Sequence, residues 1–397
     1  MKRRNFIKAT GLASTSLFAP QFLRAFSSAV DPASGNGKKL VIIQLSGGND
    51  GLNTIVPHQN DLYYSLRPSL HLKEKELIKM NDELGFNAAL ESLRSLYDDG
   101  LMSIVNSVGY PNPDRSHFRS MDIWHTASDS SEYLSTGWLG RYLDNQCSGC
   151  EKPHHAIELD NSLSLALKGN QRNGFAMTRP DQLKRTTQNR FLKAVANTHE
   201  AGQNAQVDFL YKTMIDTQSS ANYLYEQSRV HRSGGSYPAG EFGRDLKQVA
   251  ELLTADTDTQ IYYVSLTGFD THANQKGRHA RLLKNYAEGV KAFVADLRQN
   301  KLLDDTLIMT FSEFGRRVKQ NASQGTDHGT ANNLFLFGGS LKQQGFVNKA
   351  PQLTQLDKGD LRFEVDFRSI YTNLLEDWLE VDATKILGKR FEKLRLV

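Results

Sequence analysis

The chain has 397 residues, of which 48 are basic and 44 acidic, for a net charge of +4. This even balance, without a dense basic run after the first few residues, argues against a nucleic-acid partner. Hydrophobic residues make up 39% and charged residues 23%, a composition typical of a globular protein with a buried core.

The first thirty residues have the features of an export signal. Arg3 and Arg4 stand in a charged head, a weakly apolar stretch follows from Ala9 to Phe18, and small residues close the segment. This order predicts a twin-arginine signal peptide over residues 1–30, with the translocation machinery as partner and the periplasm as destination. The alternative is a basic amphipathic surface helix. No permanent membrane span is predicted, because the apolar run is shorter than the roughly 20 residues that cross a bilayer.

Residues 31–38 are predicted to be a linker, and residues 39–397 a folded domain. Strands are predicted at 39–46, 101–107, 260–267, 305–312 and 333–337, and helices at 86–98, 116–125, 241–253, 276–300 and 366–379. This alternation predicts an α/β fold with a mostly parallel central sheet and helices on both faces. Residues 182–232 are polar with few helix breakers, so we expect a helical insert or cap that covers a site and selects its substrate.

The two cysteines, Cys147 and Cys150, stand in a polar Cys-Ser-Gly-Cys loop. In an oxidising compartment they would form a local disulfide, and otherwise they are two idle thiols. A redox function is disfavoured, because no thioredoxin-like βαβ pattern surrounds them.

Short polar clusters follow four of the predicted strands. They contain Asp50, then Ser116 with His117, then Asp270 with His272, and then Glu313 with Arg316, followed closely by Asp327 and His328. Because parallel strands end at the same edge of a sheet, we expect these side chains to converge. Carboxylates with imidazoles are the usual ligands of zinc, manganese, magnesium or calcium, so one or two divalent cations are predicted there.

Each cluster by itself has a structural interpretation. Asp50 after Gly-Gly-Asn is an ordinary turn residue, and Asp327-His328-Gly329 suits a turn or helix cap. Ser116 suits a helix N-cap. The metal-site hypothesis therefore depends on the combination and its order along the chain.

That order resembles the alkaline phosphatase-like superfamily of phosphatases, sulfatases and phosphomutases. More closely, the chain resembles a twin-arginine-exported family catalogued as domain of unknown function 1501, over nearly its whole length. The motifs that carry the resemblance are Gly47-Gly48-Asn49-Asp50-Gly51-Leu52-Asn53, Arg115-Ser116-His117-Phe118, Phe269-Asp270-Thr271-His272, Ser312-Glu313-Phe314-Gly315-Arg316 and Asp327-His328.

The resemblance implies roles for these residues. Asp50 and Glu313 would hold one cation, and Asp270, His272 and His328 a second, with Asp327 as a further candidate ligand. Ser116, at a helix N-terminus, would be the nucleophile, because free amides there favour an anion. Arg115 or Arg316 would clamp a tetrahedral oxyanion, and His117 is a further catalytic candidate.

Two departures from the superfamily pattern limit the expectation. Glu313-Phe314 stands where the superfamily often has Asp-His, so the first cation would lose a ligand or be absent. The signature that sulfatases convert to formylglycine is missing around Ser116, which argues against a standard sulfatase mechanism.

The sequence therefore predicts an exported metal-dependent hydrolase of phosphate or sulfate esters, with a small-molecule or glycan ester as substrate. The alternative is a non-catalytic periplasmic binding or assembly protein on a degenerate scaffold of the same kind. An oxidoreductase is disfavoured, since the sequence has no dinucleotide fingerprint.

Overall fold

The computed structural model describes residues 37–146, 152–188 and 205–397. The predicted signal peptide, nearly all of the linker and the possible disulfide between Cys147 and Cys150 lie outside the described residues. Residues Lys38–Val397 form one compact unit. Among the residues that the structure describes, no helix is long and apolar enough to cross a membrane.

A large mixed sheet organises the described part of the chain. The strands, in chain order, are β1 (Lys39–Ser46), β2 (Ile55–Val56), β3 (Leu77–Lys79), β4 (Gly85–Asn87), β5 (Met102–Gly109), β6 (Ala156–Glu158), β7 (Phe175–Ala176), β8 (Ile261–Thr267), β9 (Thr306–Phe311), β10 (Asn332–Phe337), β11 (Gly345–Phe346), β12 (Leu356–Asp357), β13 (Asp360–Leu361) and β14 (Val365–Asp366). The central sheet has the order β11-β5-β10-β9-β1-β8-β6-β7, with β14 also paired to β5. Small separate sheets contain β2-β4-β3 and β12-β13.

Strand direction brings the predicted clusters to one edge. β1 is parallel to both β8 and β9, and β10 is antiparallel to both β9 and β5. β1, β5, β8 and β9 therefore run the same way and end together, at what we call the C-terminal edge of the sheet. β10, which runs in the opposite direction, begins there.

Helices cover both faces of the sheet. They are α1 (Asp61–Leu66), α2 (Arg94–Asp98), α3 (His117–Thr126), α4 (Trp138–Gln146), α5 (Pro180–Thr187), α6 (Ala205–Gln227), α7 (Glu241–Thr254), α8 (Gln275–Gln299), α9 (Phe367–Asn373) and α10 (Ala383–Leu387). Short 3-10 turns cover Gly51–Asn53, Glu74–Glu76, Ala88–Leu93, Pro153–His155, Leu165–Leu167 and Leu303–Asp305, and a π-helical turn covers Leu374–Trp378. The predicted class, α/β with a mostly parallel central sheet, is confirmed.

The apolar run of β1 explains why it lies at the centre. Val41 and Ile43 pack in one hydrophobic core with α7 and α8, whereas Leu40 and Ile42 pack in the other with α3, α4 and α9. Alternate side chains of a strand point to opposite faces, so a continuous apolar run is buried on both. Burying each such side chain stabilises the fold by about 1.5–3 kcal/mol.

The predicted helix at 86–98 is wrong in its first part. Gly85–Asn87 is strand β4, which pairs with β2 and β3, and the α-helix begins only at Arg94. The Asn87 side chain accepts a hydrogen bond from the amide of Ala89 and so starts a 3-10 turn, an alternative that short polar side chains offer the backbone.

The described part of the 182–232 segment forms the end of α5 and helix α6. Ser220 of α6 contacts Nδ1 of His154 at 2.8 Å, and the hydroxyl of Tyr223 accepts from the amide of Asp258 at 3.1 Å. His154 and Asp258 precede β6 and β8, so this part of α6 lies at the edge opposite the C-terminal edge. The cap predicted for residues 182–232 stays a prediction.

Candidate metal centre

A buried arginine organises the loops at the C-terminal edge. Arg316 donates from Nε to the carbonyl oxygen of Gly48 at 2.7 Å and from Nη1 to that of Thr326 at 2.9 Å. Its Nη2 donates to the carbonyl oxygen of Phe269 at 3.1 Å and to Oδ1 of Asp270 at 2.7 Å. Arg316 is therefore an internal brace between three loops and is not exposed for oxyanion binding.

Three imidazoles meet at the carboxylate that Arg316 holds. Oδ1 of Asp270 lies 3.0 Å from Nε2 of His272, 3.3 Å from Nε2 of His328 and 3.5 Å from Nε2 of His117. The Nε2 atoms of His272 and His328 are 2.9 Å apart. We call these four residues the histidine–aspartate cluster. Ligand atoms of His117, Asp270 and His328 all lie within 4.8 Å of one another, close enough to share one metal ion.

The other ring nitrogen of each histidine faces an oxygen. Nδ1 of His117 lies 2.8 Å from Oε1 of Glu313, and Nδ1 of His328 lies 2.7 Å from the carbonyl oxygen of Arg115. The carbonyl oxygen can only accept, so Nδ1 of His328 carries a proton. In the neutral ring Nε2 then keeps its lone pair, and the same tautomer of His117 suits Glu313.

His272 also has an oxygen facing its Nδ1, at a longer distance than in the other two histidines. Its Nδ1 lies 3.5 Å from Oδ1 of Asp327, a carboxylate that also accepts from Asn321 at 3.1 Å. The hydrogen bond from Asn321 is the main cause of the lowered pKa of Asp327. Asp327 therefore contacts the cluster through His272.

The charges within the cluster suit a cation. Partial burial would raise the pKa of Asp270, but the hydrogen bond and charge of Arg316 outweigh it and lower the pKa to about 2. Burial lowers the pKa of His328, which favours its neutral, lone-pair-bearing form. The hydrogen bond to Glu313 raises the pKa of His117, so a proton competes with a metal ion for its Nε2.

The donor set fits a divalent metal ion. Within the described part of the chain, Nε2 of His117 is buried without a hydrogen-bond partner, although it points to the same place as the other donors. A buried polar atom without a partner is costly unless something else satisfies it. A cation shared by Nε2 of His117, Nε2 of His328 and Oδ1 of Asp270 would do so.

Asp50 lies apart from the cluster, in an ion pair that the sequence did not reveal. Its Oδ2 is 2.6 Å from Nη1 of Arg67, both side chains are fully buried, and Gln275 donates to the same oxygen. Burial would raise the pKa of Asp50, but Arg67 outweighs it and the pKa is lowered. Arg67 also donates to the carbonyl oxygens of Val318 and Arg317, each at 2.8 Å. No sequence motif around Arg67 could have identified this residue as the partner of Asp50.

Glu313 also has hydrogen-bond partners within the protein. It is buried, and its Oε1 accepts from the amide of Gly47 at 2.9 Å as well as facing His117. It therefore supports the cluster through His117.

Arg115 and Ser116 directly precede α3, whose first residue is His117 of the cluster. Ser116 is exposed and occupies the N-cap, and within the described structure its hydroxyl makes no capping bond to the helix. Its amide donates to Oδ1 of Asp114 at 2.6 Å. The Arg115 guanidinium pairs with the buried Asp360, with Nε to Oδ2 at 2.9 Å.

The protein is an α/β protein with a cluster of possible metal ligands just past the ends of its parallel strands. A family model described as "protein of unknown function (DUF1501)" matches residues 95–360, and the chain belongs to this family. The resemblance to this family noted in the sequence is thereby confirmed over residues 95–360. The comparison with curated proteins yields no match.

Several solved structures are similar to this chain at low sequence identity. The C-terminal periplasmic domain of EcEptC from Escherichia coli is 11% identical, with a TM-score of 0.42, over 91% of this chain and 89% of that one. A protein in the alkaline phosphatase superfamily from Vibrio parahaemolyticus is 10% identical, with a TM-score of 0.40, over 94% and 78%. The lipoteichoic acid synthase LtaP from Listeria monocytogenes is 9% identical, with a TM-score of 0.39, over 89% and 76%.

Proposed function

We propose that the protein is an exported, metal-dependent hydrolase of phosphate or sulfate esters. One observation carries the proposal: three imidazole Nε2 atoms surround one ionised carboxylate oxygen, while every Nδ1 faces an oxygen. Outer oxygens of this kind orient metal-binding histidines in known metalloenzymes. The proposal that the protein is exported rests on Arg3 and Arg4 near the N-terminus.

We propose zinc as the cation, with His117, Asp270 and His328 as its protein ligands, His272 beside them and the fourth position open to the ester oxygen. Zinc is commonly bound by imidazole nitrogen and carboxylate oxygen in sets of four, whereas magnesium and calcium require mostly oxygen ligands. We expect one cation per chain, because Asp50 is neutralised by Arg67 and Glu313 is engaged by Gly47 and His117.

Ser116 is the proposed nucleophile. It is exposed at the N-terminus of α3, directly before the proposed ligand His117, and the helix dipole favours negative charge at this end. The bond from Ser116 Oγ to phosphorus or sulfur forms as the ester bond breaks, and the serine proton passes to the released alcohol. Water then hydrolyses the serine ester and restores the hydroxyl. A bound cation would stabilise the charge that develops on the transferred group.

The proposal is tested first by metal content. We would measure metals by mass spectrometry in the wild-type protein and in Asp270→Ala and His328→Ala variants, with His231→Ala as a control away from the cluster. We expect about one zinc per chain in the wild type and control and little in the two cluster variants. No metal after reconstitution, with an unchanged melting temperature, would refute the proposal.

Activity is tested next on the zinc-loaded protein. We expect release of phosphate or sulfate from simple esters and a loss of at least 100-fold in kcat for Ser116→Ala. Bound zinc without hydrolysis of any ester would favour the non-catalytic binding alternative. Hydrolysis that survives in Ser116→Ala would assign the attack to water.

A further inference from the structure

A cleft adjoins the histidine–aspartate cluster. It has a volume of about 350 Å³ and lies between residues 109–113, at the end of β5 and just after it, and residues 357–363. The side chains that matter to its chemistry are Tyr110, Asn112, Pro113, Phe314, Arg362 and Phe363. We call it the side cleft. Its volume is within the range of pockets that hold small molecules, roughly 300–1,000 Å³.

Phe314 contacts both the side cleft and the cluster. Its ring centroid lies 4.8 Å from that of His117 and 4.8 Å from that of His328. Thr330, two residues after His328, also lines the cleft. A molecule whose reacting end lies at the cluster would therefore place its next few atoms in the side cleft.

The walls of the side cleft are held in place. Asp360, which is fully buried, binds the guanidinium of Arg115 and so ties the 357–363 segment to the start of α3. Gly109 allows Phe363 to approach β5, because a Cβ at Gly109 would lie only 2.8 Å from Cβ of Phe363. Such a preformed cleft loses little conformational entropy when a ligand binds.

The lining combines aromatic walls with a polar rim. Phe363 contributes a half-buried ring beside the buried rings of Tyr110 and Phe314, and the exposed Asn112 and Arg362 contribute hydrogen-bonding groups. A long alkyl chain would make no hydrogen bonds with the rim groups, which would keep their water. A sugar ring offers an apolar face to aromatic rings and hydroxyl groups to a polar rim.

We propose that the side cleft binds the alcohol part of the ester and that this alcohol is a sugar. This inference rests on the proposed hydrolase function, which it extends to a substrate class. Phe363 is the specificity-determining residue to test, because it is half-buried at the cleft and lies away from the proposed ligands.

Saturation-transfer NMR on the zinc-loaded full chain tests the proposal without relying on turnover. The probes are glucose 6-phosphate and glucose 6-sulfate, with ethyl phosphate and phenyl phosphate as comparisons. We expect saturation of the sugar ring protons and about tenfold weaker binding of the better sugar ester by Phe363→Ala, with ethyl phosphate unaffected. Phe346→Ala, which truncates a half-buried phenylalanine packed on Tyr97, is the matched control and should bind like the wild type.

The outcomes separate this proposal from the hydrolase proposal. Sugar binding that depends on Phe363, without release of phosphate or sulfate, would support the side cleft and refute the hydrolase. Ethyl phosphate binding as tightly as both sugar esters, or Phe363→Ala leaving sugar binding unchanged, would overturn the side-cleft proposal. Tighter binding of phenyl phosphate than of either sugar ester would overturn the assignment of the alcohol as a sugar and would indicate an aryl alcohol.

Discussion

At the scale of single residues, the candidate site depends on which nitrogen of each histidine carries the proton. The oxygens of Glu313, Arg115 and Asp327 face Nδ1 atoms, so the Nε2 atoms are left to face Asp270. Glu313, predicted from the sequence as a ligand, contacts the cluster through His117. Its proposed role is to position that ring and increase its basicity.

We predict that Glu313→Gln binds zinc 10–100-fold more weakly than the wild type, because an uncharged amide is a poorer acceptor for His117. Competition with a chromophoric chelator measures the affinity. Glu76→Gln is the control, since Glu76 pairs with Lys276 at the surface, 2.8 Å away. An affinity equal to that of the control would exclude a positioning role for Glu313.

The Asp50–Arg67 pair makes a separate prediction about stability. Arg67→Met leaves a buried carboxylate without its partner, which costs about 3–5 kcal/mol of unfolding free energy. Arg298→Met removes an exposed arginine 3.0 Å from Asp99 and should cost at most about 1 kcal/mol. Denaturant unfolding measures both. Adding Asp50→Asn to Arg67→Met should restore part of the loss, and equal costs for the two single variants would contradict the prediction.

At the scale of elements, the turn after β1 sets the position of Asp270. Gly47 has φ of +116°, and a Cβ there would lie 2.4 Å from the amide nitrogen of Asp270. The glycine is therefore required both by its backbone conformation and by the close approach of the loop after β8.

We predict that Gly47→Ala displaces the Asp270 loop, lowers the melting temperature and reduces bound zinc. Gly240→Ala is the matched control, because Gly240 has nearly the same φ of +118° but nothing within 4 Å of its added Cβ. It should show only the cost of backbone strain, about 1–3 kcal/mol, and keep its zinc. Melting curves with metal analysis compare the two, and similar losses in both would show that the contact with Asp270 is unimportant.

At the scale of the whole molecule, burial determines how stability changes with pH. His125, on α3, is buried against the sheet, and its Nε2 lies 3.0 Å from the hydroxyl of Tyr263. Burial lowers its pKa from 6.5 to about 4. Between these values the unfolded chain binds the proton and the folded chain does not, so this contribution to stability is present above about pH 6.5 and lost towards pH 4.

We predict that the stability difference between the wild type and His125→Gln shrinks as the pH falls from 7 to 4, by up to about 3 kcal/mol. Denaturant unfolding at several pH values measures it. His231→Gln, outside the hydrophobic cores, is the control. A difference that does not change with pH would contradict the prediction, because the comparison cancels the other titrating groups.

The sequence determined much of this protein because the signals concerned are local. Alternation of apolar runs and amphipathic segments predicted the α/β sheet, and polar residues after β1, β5, β8 and β9 predicted which loops converge. The helix predicted at 86–98 was wrong in its first part, because Gly85–Asn87 pairs with β2 and β3 and this pairing outweighed the helical pattern.

Only the tertiary structure decided what each converging residue contacts. Asp50 follows β1 as predicted, but Arg67 from another loop neutralises it, and Glu313 reaches His117 instead of joining the cluster directly. β10 runs against β9, which brings His328 to the C-terminal edge at the start of a strand. These outcomes depend on distances of a few ångströms between residues far apart in the chain, and local patterns carry no information about such distances.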